Sequence, residues 1–98
     1  QQFFLFFFLK SEYKNSFSVV PNPINSQAQL NINSASNAEA NISVYDMSGK
    51  KIYLQQFLLH TGENNFSVTE VSRWPRGIYQ VAAQIGNDTY LKRIIVAR

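Results

Sequence analysis

Apolar side chains recur at every second position along most of this 98-residue chain, and that period restricts what it can fold into. Ala28, Leu30 and Ile32 alternate with Gln27, Gln29, Asn31 and Asn33. The same rhythm returns in Ala40, Ile42 and Val44, and again in Tyr79, Val81, Ala83 and Ile85. Successive side chains of a strand point to opposite faces, so alternation marks a strand with one face buried. No stretch sustains the three-and-four spacing of an amphipathic helix. The chain is predicted to be all-β.

Turn signals divide it into short pieces. Phe17 and Val19 alternate ahead of Pro21-Asn22-Pro23, whose prolines should stop that strand from pairing further. Ser34 to Glu39 is small and polar and reads as a loop. The strand ending at Val44-Tyr45 runs into Asp46-Met47-Ser48-Gly49-Lys50. There an Asp carboxylate folds back onto an amide two residues on, and Gly accepts the left-handed conformation of a bulged hairpin turn. On the return strand Ile52, Leu54 and Gln56 should face one side and Tyr53, Gln55 and Phe57 the other. Leu59 to Asn64 reads as a loop around Gly62, followed by a short strand with Phe66 and Val68. Val71 and Trp74 should cap one end of the core. Gly86-Asn87 is a two-residue hairpin turn between strands Gly77–Ile85 and Asp88–Ala97, because both residues tolerate positive φ. Seven short strands at intervals of about 8–12 residues are the mark of an antiparallel β-sandwich. Two sheets then cover each other's apolar faces.

The length suits one domain. With no cysteine, no disulfide supports the core. Net charge is +3, with basic residues scattered as Lys50-Lys51, Arg73, Arg76 and Lys92-Arg93. Lys92 and Arg93 are strand neighbours and point to opposite faces, so they cannot share the one-sided stripe of a nucleic-acid binder. Solvated faces and protected sheet edges explain such charges, and no nucleic-acid partner is expected. The start of the chain differs from the rest. Phe3 to Leu9 is continuously apolar but far short of the roughly 20 residues a membrane span needs. It also lacks the basic flank and small-residue cleavage site of a signal peptide. Residues 1–15 therefore read as a linker or the tail of a preceding region, and residues 16–98 as the domain.

Candidates for chemistry are few. His60 is the sole histidine and sits in a polar segment without the partners of a metal site or a triad. The carboxylates Glu12, Glu39, Asp46, Glu63, Glu70 and Asp88 are dispersed over loops and turns, and a sandwich this small has little room for a catalytic cleft. No catalytic residue, metal ligand, cofactor or small-molecule substrate is expected, and the chain is read as a non-enzyme. Trp74 precedes Pro75-Arg76-Gly77 and reads as an apolar plug at a sandwich end in preference to a sugar-stacking platform. The Tyr79 hydroxyl is expected to bond backbone a few residues upstream, as in a tyrosine corner.

Four landmarks occur in fixed order: Pro21-Asn22-Pro23, Asp46-Met47-Ser48-Gly49-Lys50, Trp74-Pro75-Arg76-Gly77-Ile78-Tyr79, and Lys92-Arg93-Ile94-Ile95-Val96. Together they resemble the type A C-terminal sorting domain of the type IX (Por) secretion system. That family has a Pro-Asn-Pro near its start, then an Asp-x-x-Gly-Lys turn and a Leu-x-x-Gly-x-Tyr element. A basic pair then precedes a final apolar strand. Trp74 stands where the family usually has Leu, which a plug tolerates, and the Phe-rich start matches no part of the pattern.

The resemblance implies an immunoglobulin-like sandwich, ending here at Arg98, at the end of a larger secreted protein. Its partners would be the upstream cargo domain, the type IX secretion machinery and a cell-surface sortase. The protein would cross the periplasm and finish at the outer-membrane surface or in the medium, with cleavage upstream of Pro21 between Lys10 and Ser16. Sorting information would lie in the hairpin from Gly77 to Arg98. The last strand, if at a sheet edge, would offer unpaired backbone groups for strand addition to a receptor, with Lys92, Arg93 and Arg98 supplying electrostatic selectivity. Two other readings stand beside this one: a carbohydrate-binding or adhesive module, which needs coplanar exposed aromatics, and a structural spacer.

Overall fold

The computed structural model of the chain describes residues 14–97. The Phe-rich start, the proposed division at residue 15 on its upstream side, and Arg98 fall outside or at the limit of the described residues. In chain order the strands are β1 (Ser16–Val20), β2 (Ala28–Ser34), β3 (Ala38–Tyr45), β4 (Lys51–Leu59), β5 (Gly62–Val68), β6 (Gly77–Ile85) and β7 (Asp88–Val96). Strands β1-β2-β5 form one sheet and β4-β3-β6-β7 the other, all paired antiparallel. This is the antiparallel sandwich that the alternation predicts, in the immunoglobulin-like form that the resemblance implies. A single 3₁₀ turn, Glu70–Arg73, crosses one end.

The core lies between the sheets. Leu30 and Ile32 of β2 are buried on one side, Ile42 and Val44 of β3 with Val81 and Ile85 of β6 on the other, and Ile94 and Val96 of β7 close the edge. Each fully buried aliphatic of this kind contributes about 1.5–3 kcal/mol. Val71 and Trp74 are buried at the end of the sandwich, where the Trp74 ring lies 5.8 Å from Tyr53 and 5.6 Å from Tyr79. Trp74 is thus a plug.

Several local expectations are corrected. Only residues 35–37 separate β2 from β3, so Ser34, Ala38 and Glu39 belong to strands. Likewise only His60 and Thr61 lie between β4 and β5. The polar stretch around them conceals a strand because its inward residue is Asn64, buried yet fully bonded. Its amide nitrogen donates to backbone oxygens of His60 (2.9 Å) and Gly62 (3.0 Å), and its oxygen accepts from the His60 N–H (3.1 Å). On β4 strict alternation fails. The register shifts between Val44 and Tyr45, so Val44 faces Tyr53 while Tyr45 faces Lys51. Ile52 and Tyr53 consequently both pack against the core. At Gly86-Asn87 only the glycine has positive φ (+61°), the arrangement of a II′ turn and not one with both residues left-handed.

The two outer faces differ. Cross-strand rows Ser16–Asn33–Glu63 and Ser18–Asn31–Asn65 make the outside of the three-stranded sheet polar. Outside the four-stranded sheet, Leu54, Leu58, Ile78, Leu91 and Ile95 remain exposed.

Candidate recognition surface

At one end of the four-stranded sheet, Tyr45 of β3, Gln80 of β6 and Arg93 of β7 form a single cross-strand row. Asp46 follows Tyr45 directly, and Gly77-Ile78-Tyr79 opens β6 beside it. The turn is built around one carboxylate oxygen. Asp46 Oδ1 accepts from the Ser48 N–H (2.9 Å), the Ser48 hydroxyl (2.7 Å) and the Lys50 N–H (2.9 Å). These bonds, the Ser48 hydroxyl first, hold the Asp46 carboxyl below the usual carboxylate range. Gly49 closes the turn with its N–H on the Asp46 carbonyl at 3.0 Å and φ of +88°.

Tyr79 is buried, and its hydroxyl donates to the Pro75 carbonyl four residues upstream. That bond ties the segment after Trp74 to the start of β6, as a tyrosine corner does. Between the Asp46 turn and β6 runs an open groove of about 430 Å³, lined by Tyr45, Met47, Gly49, Ile78, Tyr79 and Arg93 among others. Pro75, Arg76 and Gly77 line an adjoining hollow of about 290 Å³. Met47 is 75% exposed at the groove's rim.

Pro21-Asn22-Pro23 reaches the same place from the other sheet. Both the Val20–Pro21 and Asn22–Pro23 peptide bonds are cis. The Asn22 side chain imitates a strand backbone: its nitrogen donates to the Arg93 carbonyl (3.3 Å) and its oxygen accepts from the Ile95 N–H (3.0 Å). Ile24 continues the pairing, donating to the Ile95 carbonyl (2.7 Å) and accepting from the Ala97 N–H (2.8 Å), in a parallel bridge to Val96. The prolines therefore end β1, as expected, and begin a clip on another strand, which the sequence did not suggest.

Of the residues singled out in the sequence, Pro21, Asn22, Pro23, Asp46, Gly49, Lys50, Gly77, Tyr79 and Arg93 gather at this end. Lys92 belongs to the opposite, core-side face of β7, and Arg98 is outside the described residues. β7 does lie at a sheet edge, but half of that edge is taken by Asn22 and Ile24. Sequence reasoning missed Ile24, which is fully buried, and Met47. An isolated aliphatic after Pro-x-Pro was the available signal for Ile24.

The sequence between these landmarks is also family-specific. A model of the secretion-system C-terminal sorting domain matches residues 18–97. The chain belongs to this family of type IX sorting domains. No curated protein matches it. Among solved structures, the sorting domain is similar to part of dimeric latent PorU from Porphyromonas gingivalis, with a TM-score of 0.67 and 16% identity over 85% of this chain and 9% of that one. It is also similar to part of a β-glucosidase from Listeria innocua, with a TM-score of 0.50 and 12% identity over 87% of this chain and 16% of that one. At these identities the likeness is one of fold. The sorting domain spans a small fraction of either chain, and its role is that of its family: a signal for export to the cell surface or beyond.

Proposed function

We propose that the domain is a folded recognition tag for a larger cargo, read by the type IX machinery at the end of the sandwich where the four landmarks meet, and that it performs no catalysis itself. The cargo crosses the periplasm with the tag attached, and a cell-surface sortase then removes the tag. The observation carrying this reading is the convergence of Asn22, the Asp46–Lys50 turn, Gly77–Tyr79 and Arg93, far apart in sequence, around one row of the sheet. Packing alone does not require exposed Arg93, Lys50 and Met47 at the same end. Asn15 anchors the domain's first strand by accepting from the Ala35 N–H at 2.7 Å, which favours a cut upstream of Asn15 within the Lys10–Ser16 stretch. The carbohydrate-binding alternative is not favoured, because Trp74 and Tyr79 are spent on the core.

The test is sufficiency. A reporter fused upstream of Ser16 should reach the surface of a bacterium with a working type IX system and stay in the periplasm of a strain lacking it. Equal display in both strains would contradict the reading.

A further inference from the structure

The edge of β7 is divided into two halves with different fates. Outward-pointing backbone groups alternate along a strand. The carbonyl of Arg93, both groups of Ile95 and the N–H of Ala97 point outward, because Asn22 and Ile24 bind them. The pairing of β7 with β6 runs without a register shift from Asp88 to Val96. Thr89 and Leu91 must therefore also present their N–H and C=O groups outward, together with the Arg93 N–H. β7 is the last strand of its sheet, and among the described residues no strand hydrogen-bonds this half, although β1 of the facing sheet passes beside it and Asn15 holds its start through Asp88 and the Tyr90 hydroxyl. The result is a window of five backbone groups, bounded on one side by the Asn22 clip and on the other by the Gly86-Asn87 turn.

Side chains around the window have a definite chemistry. Leu91 is 60% exposed on the outer face, with Arg93 two residues on along the same face. Lys92 is exposed from the core-side face. Asp88, the acid nearest in sequence, already accepts from the Asn15 amide at 3.2 Å. A strand added here would meet a cation on each face and one apolar side chain. Like charges across a strand pair are unfavourable and opposite charges favourable. A second copy of the chain, itself at +3, would crowd four cations into one ribbon. An acidic strand would neutralise two.

We propose that the window from Thr89 to Arg93 accepts, by strand addition, an extended segment of a partner protein carrying adjacent acidic residues opposite Lys92 and Arg93 and an apolar residue opposite Leu91. The proposal rests on the recognition-tag reading and extends it along the β7 edge, from Arg93 at the recognition end toward the Gly86-Asn87 turn. The Asn22–Ile24 clip sets the length of the accepted segment, since strand addition cannot extend past groups already bonded.

The experiment uses the reporter fusion with five variants, each checked for folding by thermal melting. Leu91→Pro removes an N–H that no β6 group uses, so an edge strand can accept it. It should leave melting near that of the parent and lower surface display by about tenfold or more. Lys92→Glu and Arg93→Glu should each lower display similarly, while Arg73→Glu, the same charge change away from β7, should not. Leu91→Pro folded and displayed as well as the parent would overturn the proposal. Should Leu91→Pro not fold, normal display of the Lys92→Glu/Arg93→Glu double variant would overturn it. So would a dimer of the parent domain in sedimentation that Leu91→Pro abolishes, because the edge would then belong to a second copy. Failure of the parent fusion itself to leave the periplasm would instead sink the recognition-tag reading.

Discussion

Gly49 shows how single residues hold the recognition end in place. Its φ of +88° lies in the left-handed region, and a Cβ added there would meet nothing within 4 Å. Any cost of substitution is thus backbone strain and not collision. Gly49→Ala should lower unfolding free energy by about 1–2 kcal/mol in urea titration, and a neutral result would contradict the turn geometry. Asp46 supports the same turn from its side chain, bonding three donors with one oxygen. The roles of both residues were legible in the sequence, because an Asp-x-x-Gly turn is a local device whose chemistry lies within five residues. Asn64 was not legible. An amide in a polar stretch looks like a loop residue until the fold brings the Ile32 carbonyl within 3.3 Å of it.

At the scale of elements, the strands were legible where alternation was uninterrupted and blurred where a long-range partner intervened. β2, β3 and β6 follow period two over their whole length, with burial strictly inward at Leu30 and Ile32, Ile42 and Val44, Val81 and Ile85. β4 does not, since its bulge opposite Val44 turns both Ile52 and Tyr53 toward the core. The Pro21–Ile24 clip was hidden for a related reason. Its partner, β7, lies some 70 residues later, and Asn22 bonds backbone that the sequence does not distinguish. Asn22 and Ile24 serve the clip differently. Ile24 is fully buried, so Ile24→Ala should cost about 2–5 kcal/mol, whereas Asn22→Ala forfeits two exposed bonds and should cost about 1 kcal/mol. Chemical denaturation of both variants checks the order. An Asn22 effect larger than that of Ile24 would mean that the clip is held by its amide and not by burial.

Among the described residues the sandwich has four edge strands: β1 and β5 in one sheet, β4 and β7 in the other. Exposed edges invite unwanted pairing, and proteins usually blunt them with charges, bulges or covering segments. β4 carries a bulge, and the far half of β7 is clipped. The near half of β7 is flanked by Lys92 and Arg93, charges that discourage pairing with a copy of itself while favouring an acidic partner. The near half of β7 is thus a short, chemically marked edge in a domain whose family serves as an export signal. Residue-resolved amide hydrogen exchange tests this most directly. The Thr89, Leu91 and Arg93 amides should exchange quickly, while those of Ile95 and Ala97, bound by Asn22 and Ile24, and of Tyr90, Lys92, Ile94 and Val96, paired with β6, exchange slowly. Uniform protection from Thr89 through Ala97 would contradict the account, because the edge offered for recognition would already be covered.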